Sequence, residues 1–303
     1  MFCAKESLKS LGEFGLIARI AAKAFIDRTV IKGIGDDTAV LPWTNNKYLL
    51  FTTDMLCEGV HFYPRDNGRM IGHKVLACSV SDIAAMGGTP TAAVISIGLP
   101  KSICLRRVDD IYRGINTLAR RFHLSIVGGD TIQSPRLIIN VALLGEAKKG
   151  DLVLRSGAKT GDQIFVTGPL GRSLETKKHL SFTPRLNEAS YLVSHFKPSA
   201  MIDISDGLGA DLGHILKQSN KGAILDEAAI PRTKGAALQN ALCDGEDFEL
   251  LFTLPKVQAA KLSRQKKFRV FHIGEITSPR SGLCLRDRKG RLQVIATKGY
   301  RHF

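Results

Sequence analysis

The sequence has no uninterrupted apolar run of the 18 or more residues that a membrane helix needs. Its longest approach, residues 137–144, already contains Asn140, so a spanning helix is excluded. Lys5, Glu6 and Lys9 stand where a secretory signal would need its apolar core, which points to a cytoplasmic protein. Six cysteines (Cys3, Cys57, Cys78, Cys104, Cys243, Cys284) include no C-x-x-C pair. A zinc site, a redox pair and a disulfide framework are therefore disfavoured, and reduced thiols are the plain reading. There is no G-x-x-x-x-G-K-[ST] segment, and G-I-G-D-D (33–37) lacks the third glycine of a dinucleotide fingerprint. A P-loop nucleotidase and a Rossmann dehydrogenase both fall away. No G-x-S-x-G elbow and no glycine-framed cysteine offers a covalent nucleophile.

Positive charge is abundant: 43 Lys and Arg against 28 Asp and Glu leave the chain at +15. The excess is spread over both halves, and clusters such as Lys177-Lys178 and Lys266-Lys267 are short. None forms a tail or an aromatic-studded groove, so a solvated basic surface is expected, with neither nucleic acid nor membrane as partner. An anionic small substrate suits the sign equally well.

A length of 303 residues suits two domains of ordinary size. Apolar residues at helical spacing predict helices over 16–25, 70–86, 105–122, 207–218 and 257–266. Short β-prone runs predict strands at 48–53, 92–98, 124–127, 137–144, 163–167, 200–202, 249–253, 269–273, 283–286 and 292–296. Alternation of the two indicates an α/β layer structure. The polar turn Lys148-Lys149-Gly150-Asp151 divides it into domains 1–148 and 149–303.

The acids of this basic chain gather at glycine, serine and threonine turns. Asp36 and Asp37 close G-I-G-D-D, and Asp54 ends the strand in F-T-T-D (51–54). Asp82 lies in S-V-S-D (79–82), one turn from a helix end, and Asp130 follows Gly128-Gly129 at another strand end. Asp203 and Asp206 flank the turn in I-D-I-S-D-G-L (202–208). Each alone reads as an ordinary turn or cap residue. In α/β sheets, however, ligands lie outside the carboxyl ends of the strands, and acids gathered there repel one another unless a cation neutralises them. Oxygen ligands from several loops suit Mg²⁺ bridging carboxylates to substrate phosphates. A lone histidine is more often structural or solvated, and His61, seven residues beyond Asp54, is the one kept as a candidate substrate contact.

Eight segments in order, from G-I-G-D-D-T-A-V-L and T-T-D-M-L-C-E-G-V-H-F through S-V-S-D-I-A-A-M-G-G, G-G-D-T, L-R-S-G-A-K, M-I-D-I-S-D-G-L and G-E-D-F-E-L-L-F to the terminal K-G-Y-R-H-F, resemble the thiamine-monophosphate kinase family. The resemblance implies the two-domain α/β fold of the aminoimidazole ribonucleotide synthetase superfamily, dimerising through an N-terminal sheet that forms a barrel. It implies ATP-dependent phosphorylation of thiamine monophosphate, with several Mg²⁺ ions and a homodimer. Carried onto this chain, it implies metal ligands at Asp37, Thr52, Thr53, Asp54, Asp82, Asp130 and Asp203, with Asp206 holding a further ion. Gly129, Asp130, Arg155 and Ser205 would touch ATP, and Asp54 and Asp130 would be catalytic. His61, Glu246, Asp247 and Thr297 would face the substrate, Thr297 standing where relatives carry an aromatic residue. Another ATP-using superfamily enzyme, or a non-catalytic nucleotide- or nucleic-acid-binding protein, stays open as an alternative. The E-G-V-H-F stretch and the K-G-Y-R-H-F tail favour the kinase.

Overall fold

The computed structural model describes residues 8–302, with side chains from Ser10 onward. Cys3, Lys5, Glu6 and Phe303 lie outside the described residues. After a helix α1 (Leu8–Ala21), the first lobe contains β1 (Ala39–Pro42), β2 (Lys47–Cys57), α2 (Gly68–Ala85) and β3 (Thr89–Leu99). α3 (Leu105–Arg121), β4 (Ser125–Gln133) and β5 (Ile138–Lys148) complete it. Its strands run in the order β1-β2-β5-β3-β4, and only β3 and β4 are parallel.

The second lobe holds β6 (Gln163–Val166), α4 (Leu186–His195), β7 (Ala200–Asp203), α5 (Leu208–Ser219) and β8 (Gly222–Asp226). It continues through α6 (Leu238–Cys243), β9 (Leu250–Leu254), α7 (Lys256–Leu262), β10 (Phe271–Thr277), β11 (Leu283–Arg286) and β12 (Leu292–Val294). The sheet order is β12-β11-β8-β10-β6-β9-β7, with only β8 and β11 parallel. The α/β layering holds, but both sheets are mixed and mostly antiparallel, so no row of parallel strand ends frames a crevice. Nor does the first sheet close: it is open, with β1 and β4 at its edges, and the expected barrel is absent from the single chain.

The two sheets are covered differently. The second has apolar layers on both faces, one around α5 and another around α4 and α7, where Phe165 and Phe252 stack at 5.5 Å. The first packs one face on α2 and α3. Alternation along β2 buries Leu50, Thr52 and Leu56 on that face and leaves Phe51, Thr53 and Met55 exposed on the other. Val94 and Ile132 are exposed as well, so the open face is apolar.

α2 is the central element. It packs on β2, β5 and α3 of its own lobe and on α4 and β7 of the other. Its close crossing with α3 is made by two glycines. A Cβ on Gly72 would lie 1.8 Å from the Ile111 carbonyl oxygen, and one on Gly114 would lie 2.0 Å from that of Arg69. By contrast, the apolar stripe expected over 16–25 does not find a core. α1 kinks at Gly12, Ile17 and Ile20 are exposed, and the helix rests on the second lobe through Phe14, edge-on to His214 at 4.9 Å. Among the described residues no helix is long and apolar enough to cross a membrane.

Candidate active site

α2 gathers the acids by lending three side chains from its last turns. Ser79 Oγ donates to Asp54 Oδ2 at 2.6 Å, and Ser81 Oγ donates to Asp203 Oδ2 at 2.6 Å. Asp82 Oδ2 accepts from Thr52 Oγ1 at 2.5 Å. Carboxylate oxygens of Asp37, Asp82 and Asp203 all lie within 4.8 Å of one another, although they come from a loop, a helix and a strand in two lobes. Asp54 does not end its strand as expected. β2 runs on to Cys57, and Asp54 pairs with Val141 in mid-strand, facing α2.

One guanidinium answers this concentration of negative charge. Arg155 donates from Nη2 to Asp37 Oδ1 at 2.7 Å, and its backbone N–H donates to Asp36 Oδ1 at 3.0 Å. The remaining repulsion appears in proton affinities. Burial first, and then Asp37, push Asp203 up to about 7. Burial, then Asp54, Asp203 and Asp37, push Asp82 well above the carboxylate range. Burial raises Asp37 and Asp54 too. Among the described residues Asp37 Oδ2 is buried without a hydrogen-bond partner, whereas Asp36 Oδ2 lies in an ion pair 3.4 Å from Lys32 Nζ. An orphaned carboxylate oxygen within clustered acids, with hard oxygen donors only, fits a divalent cation such as Mg²⁺.

Beside the cluster lies a cavity of about 220 Å³ between the lobes. Asp54, His61, Lys74, Ser205, Asp206 and Glu246 line it, and Tyr300 and His302 of the terminal tail close it. The tail is held by Tyr300 N–H donating to Asp206 O at 2.9 Å and by His302 N–H donating to a Glu13 carboxylate at 2.8 Å. Burial, then Glu13, raise Asp206 to about 6. His61 accepts from the Cys57 N–H at 3.1 Å, and its ring lies 5.2 Å from that of His302. Burial and then Lys74 lower its proton affinity, keeping it neutral at physiological pH.

Five anticipated residues stand elsewhere, among them Gly129, which lies beside Asp130 in edge strand β4. Thr53 and Asp130 project from the open face of the first sheet, opposite to Asp54. Asp130 also lies within edge strand β4 rather than beyond its end, and accepts from its neighbour Thr131 N–H. Three strand spacings, roughly 14 Å, separate it from Asp54. Asp247 is fully buried, accepting from Gly171 N–H at 2.8 Å, and does not line the cavity. Thr297 sits against Gly213 of α5.

Residues 35–147 match the model of AIR synthase related protein, N-terminal domain. A thiamine-monophosphate kinase of Buchnera aphidicola subsp. Schizaphis graminum is 35% identical, the match covering 91% of this chain and 94% of that one. The Escherichia coli K12 thiamine-monophosphate kinase is 33% identical over 96% and 98% of the two chains. The chain belongs to the thiamine-monophosphate kinase family. A solved structure of AaThiL complexed with AMPPCP and TMP superposes with a TM-score of 0.87 at 31% identity, covering 99% of this chain and all of that one.

Several residues with which this thiamine-monophosphate kinase family member lines the cavity or supports its walls and acids carry no motif signal. Lys74 follows His73 and precedes the apolar run from Val75 to Cys78, and a charged residue in that buried register is the one available hint. His179 reaches the site from a single turn at Lys178–Leu180, and Ser79 and Ser81 read as helix filler. Asp211 had a local role: its Oδ2 accepts the N–H groups of Asp206 and Gly207 at 3.1 and 3.0 Å and so shapes the turn that presents Asp206.

Proposed function

We propose that this chain transfers the γ-phosphoryl group of ATP to thiamine monophosphate, giving thiamine diphosphate and ADP. The observation that carries the reading is the convergence of Asp37, Asp82 and Asp203 from two lobes beside a cavity, in a chain of this family. Asp37, Thr52, Asp54, Asp82 and Asp203 would hold Mg²⁺, with Asp206 offering a carboxylate to a further ion. When bound, the metal supplies positive charge between two polyanions.

The chain's own groups do the rest. The attacking oxygen belongs to a phosphate that is already ionised, so no general base is required, and the neutral His61 has none of that work to do. A new bond forms from that oxygen to the γ-phosphorus as the bond from the γ-phosphorus to the β–γ bridging oxygen breaks, and the bridging oxygen leaves as part of ADP. Catalysis then rests on in-line positioning and charge neutralisation. Arg155 adds a fixed cation, and its buried Nε has no acceptor among the described residues, leaving a donor for a nucleotide phosphate. Ser205 and Glu246 form the opposite wall, with Tyr300 and His302 excluding water at the mouth.

The proposal extends to assembly and place. Two domains, 1–148 and 149–303, pair with a second copy across the apolar open face of the first sheet, in the cytoplasm. Thr53, Gly129 and Asp130 lie on that sheet's outer side or edge, and would serve a nucleotide site that the second copy completes. The direct test is product analysis with ATP, Mg²⁺ and thiamine monophosphate or thiamine. Thiamine diphosphate should form from the monophosphate only. Diphosphate formation from free thiamine at a comparable rate would overturn the assignment.

A further inference from the structure

Lys74 is fully buried, yet it lines the cavity wall. A lysine is rarely enclosed unless each proton of its ammonium group has a partner. Here Nζ donates to the His61 carbonyl oxygen at 2.7 Å and to Glu246 Oε1 at 2.5 Å, and lies 3.0 Å from His179 Nδ1. His179 Nδ1 in turn lies 3.3 Å from Glu246 Oε2. The three partners belong to three separate segments, and Glu246 comes from the other lobe.

Glu246 needs such support. Its backbone is in the left-handed region at φ 54°, as is that of Phe248 at φ 51°, conformations that non-glycine residues adopt at a cost. Main-chain bonds pin the turn on one side, from Glu246 N–H to Ser205 O at 2.7 Å and from Phe248 N–H to Ile204 O at 2.8 Å. The side chain is left to the lysine and the histidine. Burial works to raise its proton affinity, and the contacts with His179 and Lys74 outweigh it, keeping the carboxylate ionised. Its remaining exposed surface faces the cavity.

We propose that Lys74 is a positioning residue that spans the lobes and holds the Glu246 carboxylate at the cavity wall for the cationic ring portion of thiamine monophosphate. This rests on the function proposed above. The ammonium is held by the His61 carbonyl oxygen and Glu246 Oε1, so it fixes the carboxylate while the exposed part of that carboxylate faces the ligand. ATP, bound by groups around Arg155 and the acid cluster, lies outside its influence.

The test uses the full chain in two arms. In the ligand-free protein, Lys74→Met should speed amide exchange of residues 244–248 at least about tenfold relative to the rest of the second lobe. In calorimetry, Lys74→Met should weaken thiamine monophosphate about tenfold or more and leave AMPPCP unchanged. Glu246→Gln should weaken thiamine monophosphate similarly, and the double variant should be no worse than either single one. Equal losses for both ligands, or unchanged substrate affinity in a folded Lys74→Met, would sink the proposal. So would wild-type affinity in Glu246→Gln, which decides the matter even if Lys74→Met does not fold. Failure of the wild-type chain to bind thiamine monophosphate would instead remove the kinase reading, with faster exchange still supporting the tether and unchanged exchange ending both.

Discussion

Asp203 at about 7 and Asp206 at about 6, against an ordinary value of 3.8, fix the direction in which pH acts on the metal-free protein. Between pH 4 and 7 the folded chain keeps protons that the unfolded chain has released. Their stabilising contribution is complete below about pH 4 and is lost as pH rises through 6 and 7. Melting in EDTA should therefore fall between pH 5 and 8, and the gain from added Mg²⁺ should grow over the same interval as the cation replaces the protons. A gain from Mg²⁺ that is flat with pH would contradict this electrostatic account. The same crowding predicts opposite signs for one substitution. Asp54→Asn should cut turnover at least about a hundredfold by removing a charged ligand, while leaving metal-free melting at pH 8 equal or higher. Near-normal turnover would return Asp54 to the role of a strand residue that caps Ser79. The acids themselves were legible in the sequence because aspartates beside Gly, Ser and Thr stand out in a basic chain. Lys74 and His179 were not, since a buried ammonium is recognisable only once its partners are assembled from distant segments.

Elements were legible to the extent that their burial is one-sided. α3, with one apolar stripe, and β5, with alternating burial, lie close to where periodicity places them. β1, α4, β8 and α6 gave no usable pattern, being short or mixed in polarity. Asp54 and Asp130 were assigned to strand ends because glycine and threonine mask strand continuation, whereas backbone pairing with β5 and β3 carries both strands onward. The α2–α3 crossing gives the element-scale prediction. Gly114→Ala sets a methyl group against the Arg69 backbone and should cost about 1–3 kcal/mol or more, measured by urea unfolding. Turnover should fall with it, because α2 carries Ser79, Ser81 and Asp82 into the site. Gly150→Ala, with no neighbour within 4 Å, serves as the control and should change neither. Equal stability of the two variants would mean the helices can separate freely.

For the whole molecule, the open apolar face bearing Phe51, Met55, Val94 and Ile132 is the strongest physical argument for a second copy. Sedimentation at micromolar concentration should show a dimer, and Met55→Glu should dissociate it. If the partner completes each nucleotide site, Asp54→Asn and Asp130→Asn dimers, each inactive, should recover activity when mixed and allowed to exchange subunits. Random pairing under two-fold symmetry would restore about a quarter of the sites. No recovery, with exchange verified by mass, would place Asp130 in its own chain's site or in none.

The enclosure of α2 has a consequence for how the chain can be divided. Fourteen of its eighteen residues are buried, because α4 and β7 cover what the first sheet and α3 leave open. The polar turn at 148–151 looks like an ordinary cleavage point, yet a fragment ending there would expose Ala84 and Ala85 to water, and its complement would lose the surface on which α4 rests. Neither piece would be a usable module for grafting onto another protein. Any shortened version of this enzyme has to be trimmed at its ends.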